Sequence, residues 1–184
     1  MIPVISIIII IAIFILVNNQ YKDVSMIEAH DNIHYLVRDL PDKQKAAETL
    51  SNIRKQLLIL IGKLEKSHPQ LHKRLLSRFQ HEQLSEGSLD YKYTTYTVNK
   101  GEKMVFCLRD RESEKLHKFN LLMFVAIHEL AHVASISEGH TDEFKQNFTI
   151  LLEVAIKNNL YTNERFTENP QTYCGTLINT NGGV

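Results

Sequence analysis

Residues 119–144 read FNLLMFVAIHELAHVASISEGHTDEF, and this stretch decides what kind of molecule the chain forms. From Phe119 to Ile136 the residues are almost all apolar and helix-compatible, which predicts a buried helix. Inside it sits His128-Glu129-Leu130-Ala131-His132, an HExxH pattern. Residues four apart share one helix face a turn apart, so His128 and His132 can reach one metal ion, with Glu129 beside them. Two histidines and a glutamate buried without partners would cost several kcal/mol, and a shared metal removes that difficulty. Beyond the helix, Gly139 can take a positive-φ turn that folds the chain back and aims His140 at the same point. His140 is therefore the expected third ligand, with Glu143 and Glu138 as rivals. Thr141 reads as the cap of a following helix, and Asp142 as an acid favoured in its first turn. Three protein ligands leave a tetrahedral zinc with an open position, the arrangement of a hydrolytic site. The expected chemistry is peptide hydrolysis by metal-activated water, with Glu129 as general base.

Working outward, Tyr93–Val98 alternates aromatic or β-branched residues with threonine, Asn99-Lys100-Gly101-Glu102 is turn chemistry, and Lys103–Leu108 again reads as a strand, so a hairpin is predicted. Asp110–Lys118 is charged loop. A helix is expected from Thr141 to Asn158, and the tail from Tyr161 has no clear period. Upstream, Asp42–Lys66 carries Ala46, Leu50, Ile53, Leu57, Leu58, Ile61 and Leu64 in a helical stripe, and Gln70–Phe79 reads as a shorter helix. Ile27, Ile33, Leu36, Val37 and Leu40 predict a helix over Met26–Leu40 as well.

Residues 2–17 are apolar apart from Pro3 and Ser6, and Ile7–Val17 has no polar side chain. No basic stretch precedes this run and no small-x-small cleavage site follows it, so an uncleaved single-pass membrane anchor is expected, the alternative being a cleaved signal for secretion. Lysine plus arginine equals aspartate plus glutamate at 21 each, so no global field draws the chain to nucleic acid, and no nucleic-acid partner is expected. Between Ser51 and Gln80 seven basic residues face the single acid Glu65, read as a solvated helix face. Cys107 and Cys174 form no CxxC pair and are read as two half-buried thiols, with one disulfide as the alternative. His30 and His34, four apart, have Asp31 and Asn32 where HExxH carries its base, and with His68, His72, His81 and His117 they are read as solvated. Tyr161 and Tyr173 are candidates to stabilise an oxyanion.

The string His128-Glu129-Leu130-Ala131-His132, then Gly139-His140, then Glu143-Phe144, resembles the minimal zincin metallopeptidases of the WLM and SprT-like groups over about Thr94 to Tyr161. The layout also resembles small membrane-anchored metallopeptidase-like proteins encoded by large DNA viruses. The resemblance implies an α+β zincin fold, helix-rich, with a small sheet over the HExxH helix and substrate added as a strand along the sheet edge. It implies Zn2+ as cofactor and a protein or peptide as substrate. The resulting division is an anchor over 1–20, a helical region over 21–82 and a zincin-like core with its tail over 83–184. The competing function is a non-catalytic, zinc-stabilised, membrane-anchored binding module.

Overall fold

A computed structural model describes residues 23–88 and 94–180, together with Ile9. The predicted anchor over 1–20 lies outside the described residues. Among those described, no helix is long and apolar enough to cross a membrane.

The elements, in chain order, are β1 (Val24–Glu28), β2 (His34–Arg38), α1 (Lys43–Lys63), α2 (Pro69–Arg78), β3 (Leu84–Glu86), β4 (Tyr96–Val98), β5 (Lys103–Phe106), α3 (Phe119–Ala134), α4 (Asp142–Lys157), β6 (Gln171–Tyr173) and β7 (Thr176–Ile178). One five-stranded sheet runs in the order β1-β2-β3-β5-β4, and β6-β7 form a separate two-stranded sheet. β2, β3 and β5 are mutually parallel, while β1 and β4 join the two edges antiparallel. Parallel neighbours need a long crossover, and α1 with α2 supplies the one between β2 and β3. The sheet thus draws strands from both 21–82 and 83–184.

The helix predicted over Met26–Leu40 is instead the β1-β2 hairpin. Its apolar residues fit a helical spacing as a set, but Ala29-His30-Asp31-Asn32 divides them with turn residues. Asn32 takes φ 59° and its amide donates to the Ala29 carbonyl at 3.0 Å. Asp31 Oδ1 accepts from the Ile33 amide, the aspartate-turn geometry that competes with a helix. Tyr35 and Val37, two apart, are both fully buried, which is a strand period. His30 and His34 therefore lie in a turn and a strand rather than on one helix face.

The core is centred on α3. Thirteen of its sixteen residues are buried, so a helix apolar on all sides is surrounded on all sides. α1 packs between the sheet and α3, while α2, α4 and β4 close around the rest. The basic stretch divides accordingly. Lys55, Lys63, Lys66 and Lys73 are solvated as expected, whereas Arg54, Arg74 and Arg78 are half-buried. Arg78 Nη1 donates to the carbonyls of Val133 and Ser135, and Arg74 Nη1 to that of Ala134. These guanidinium groups satisfy orphan carbonyls at the C-terminus of α3, where the helix dipole favours positive charge.

A second polar knot lies where β3 meets the β5–α3 loop. Arg109 Nε donates to Glu86 Oε1 at 2.8 Å and its Nη1 pairs with Asp42, while Glu86 Oε2 accepts the Arg38 amide. Cys107 and Cys174 are joined in a disulfide, with Cα atoms 6.4 Å apart. That corrects the reading as free thiols: the two cysteines stand 67 positions apart with no local signal between them, and only the fold brings them together.

Candidate metal centre and hydrolytic site

α3 places His128 and His132 on one face, as the i, i+4 spacing requires. The helix stops earlier than Ile136: Ser135 turns extended, and its hydroxyl donates back to the Ala131 carbonyl. The chain then crosses a short loop in which Gly139 holds φ +75°. The glycine thus bends the loop that returns His140 rather than ending the helix itself. Thr141 caps α4, its hydroxyl accepting from the Phe144 amide at 3.3 Å.

His128, His132 and His140 converge, with one ligand atom from each lying within 4.8 Å of the others. His128 Nε2 is 3.2 Å from His132 Nε2 and 3.1 Å from His140 Nε2. A zinc–nitrogen bond of about 2.05 Å implies a tetrahedral edge of roughly 3.3 Å, so the donor spacing fits a zinc-sized ion. Burial, followed by the neighbouring histidines, lowers His128 to about 3. Burial and then His140 lower His132 to about 4. Both rings are therefore neutral at pH 7, the form that donates a lone pair to a metal. Phe144 of α4 lies with its ring centre 4.9 Å from His128, 4.3 Å from His132 and 4.8 Å from His140. The aromatic residue after the third histidine thus braces all three.

Glu129 is 5% exposed, and its Oε2 accepts a 2.8 Å hydrogen bond from Thr97 in β4. Burial raises its carboxyl to about 7. Thr97 was not singled out by sequence, although it lies within the predicted hairpin. Glu143, the rival ligand, is turned away: its carboxylate accepts from the amides of Ile136 and Ser137 and from the Ser137 hydroxyl. These bonds lower it to about 2. Glu138 lines a cavity of about 350 Å³ with Lys100, Glu129 and His132, but is not among the three converging ligands.

A second cavity, of about 300 Å³, touches His128, Glu129, His132 and His140 and is bounded by Tyr173 and Thr176 of the tail. Tyr173 is fully buried, its hydroxyl shares a hydrogen bond with that of Thr95, and burial raises its pKa. Tyr161 instead packs against Phe124. His117, expected in solvent, is half-buried with its ring 5.0 Å from that of Tyr173.

The chain is 38% identical over 154 residues to the uncharacterised protein R325 of Acanthamoeba polyphaga mimivirus, covering 80% of this chain and 78% of that one. It is 44% identical over 68 residues to the uncharacterised protein 042R of Invertebrate iridescent virus 3, and 35% over 83 residues to the uncharacterised protein 136R of Invertebrate iridescent virus 6. These matches span 42% and 44% of the two iridescent-virus proteins. No protein-family model matches. Among solved structures, Wss1 from Saccharomyces cerevisiae is similar with TM-score 0.51 and 21% identity, over 67% of this chain and 88% of that one. A Wss1 mutant matches at the same score over 68% and 92%. The fold is thus similar to that of Wss1, a mixed α/β arrangement of four described helices and small sheets.

Proposed function

Since the chain belongs to the family of the mimivirus protein R325 and folds like Wss1, we propose that it is a zinc-dependent endopeptidase, held to a membrane by residues 1–20 through the apolar run over 2–17. The observation that carries the reading is the convergence of three imidazoles beside a buried carboxylate that borders the same cavity. His128, His132 and His140 would hold the ion. Bound there, zinc would acidify a water and polarise a peptide carbonyl.

The remaining work falls to the chain's own side chains. Glu129 is placed to take a proton from the attacking water and return it to the departing amine. Thr97 holds that carboxylate in one orientation and, being on β4, ties it to the strand along which substrate lies. β4 is the last strand of the five-stranded sheet among the described residues. An extended peptide can add there as a further strand, backbone bonds giving affinity and side-chain cavities giving selectivity. Antiparallel pairing is the more stable choice.

The test uses the full chain loaded with zinc and an unfolded protein as substrate. Wild type should cleave it, and Glu129→Gln should retain one zinc per chain while losing cleavage. Equal behaviour of the two proteins in any zinc-dependent assay would favour the non-catalytic module instead, and failure to bind zinc would remove both readings. Fractionation of expressing cells, with and without residues 1–20, tests the tether.

A further inference from the structure

The tail from Gln171 to Ile178 is a hairpin that, among the described residues, pairs as a sheet only with itself. Its turn, Tyr173-Cys174-Gly175-Thr176, needs positive φ at both central positions, and Cys174 takes φ 49° and Gly175 φ 82°. A cysteine is an unfavourable choice for a left-handed position. Here that residue is bonded to Cys107, just beyond the end of β5. The turn is therefore fixed to the sheet at its tip. Next to it, Tyr173 and Thr176 are cross-strand partners, and both border the cavity that touches His128, Glu129, His132 and His140.

The direction of a bound peptide says which side chain meets that cavity. β4 runs from Tyr96 toward Val98 and Lys100, and Lys100 lines the cavity on the His132 side. Thr94 and Thr95, just before β4, line the cavity on the tail side. A strand added antiparallel enters at the Lys100 end and leaves at the Thr95 end. Residues on the amino side of the cut bond then lie by Lys100 and Glu138, and the first residue on the carboxyl side faces the tail. Apart from Glu129 and the three histidines, that second cavity is bordered by Val125, three threonines and Tyr173, with no other charged group among the described residues.

We infer that the tail hairpin, through Tyr173 and Thr176, is the wall that selects an uncharged side chain on the carboxyl side of the cut bond, and that Cys107–Cys174 fixes this wall. The inference rests on the peptidase reading for the substrate, but not for the wall. Thr176 is exposed, so replacing it spares the core.

The probes are peptidyl hydroxamates carrying a glycine, leucine, aspartate or lysine side chain, titrated calorimetrically into the zinc-loaded full chain. Wild type should bind the leucine probe at least about tenfold more tightly than the aspartate and lysine probes. Thr176→Trp should weaken the leucine probe about tenfold and leave the glycine probe within twofold. The Cys107→Ser/Cys174→Ser double variant, with zinc content unchanged, should lower the leucine-over-glycine preference below threefold. Hydrogen exchange across 171–178 should rise in that variant. An unchanged order of probes in both variants overturns the inference and leaves the peptidase standing. Wild type that ranks the probes as expected but cleaves no protein overturns the peptidase and leaves the wall.

Discussion

Thr97 in β4 donates a 2.8 Å hydrogen bond from its hydroxyl to Oε2 of Glu129 in α3, joining the sheet edge to the carboxylate beside the three histidines. Thr97→Val keeps the shape of the strand and removes the donor. A hydrogen bond to a charged group is worth about 1.5–3 kcal/mol, so the turnover number should fall roughly tenfold to a hundredfold, with KM and zinc content close to wild type. Steady-state kinetics beside a metal assay decides it. Unchanged turnover would mean that Thr97 does not orient the base.

His140 reaches the site from the loop before α4, so its loss should leave the helices intact and weaken metal binding. His140→Ala should lower zinc affinity by on the order of a hundredfold or more. Zinc at a thousandfold excess over its dissociation constant adds about 4 kcal/mol to folding. Chelation should therefore lower the melting temperature of wild type by several degrees and leave that of His140→Ala almost unmoved.

Arg78 closes the C-terminus of α3 by donating to the carbonyls of Val133 and Ser135, at 3.1 and 3.0 Å. Arg78→Ala strands both half-way into the core, at a cost of about 2–3 kcal/mol. In a domain of this size that corresponds to a fall of roughly 4–12 °C in melting temperature. Zinc stoichiometry of the folded protein should not change. A loss of less than about 1 °C would show that water replaces the guanidinium.

Glu143 gives the fold an acid dependence. Bonds from the Ser137 and Ile136 amides hold its carboxyl at about 2 in the folded chain, below its ordinary 4.5. A depressed carboxylate contributes stability fully above its unfolded pKa and loses it as pH falls through the folded one. Urea denaturation should find Glu143→Gln less stable than wild type at pH 7, with the difference narrowing between about pH 4.5 and pH 2. A gap independent of pH would assign the effect to packing instead.

Much of the site could be read from residues adjacent in sequence. The i, i+4 histidines and the Gly139-His140 pair fall within thirteen residues, where helix geometry and one flexible turn suffice to bring them together. Elements whose partners lie far along the chain were less legible. Met26–Leu40 fits a helix by apolar spacing, which alone does not separate a helix from two short strands divided by Asp31-Asn32. The arginines of α2 carry no sign of facing inward until α3 is packed beside them. Tyr173 and Cys174 sit in a segment without periodicity, and their placement depends on Cys107, sixty-seven positions before Cys174.

Phe144 adds a consequence of a different kind. Its ring is fully buried and touches all three imidazoles, with Phe148 stacked behind it at 5.9 Å. Hydrocarbon from α4 is thereby packed against the imidazoles, while the two cavities that touch them are bordered by β4 and the tail and by neither phenylalanine. A molecule held in either cavity therefore meets the imidazoles on surface that Phe144 and Phe148 leave uncovered.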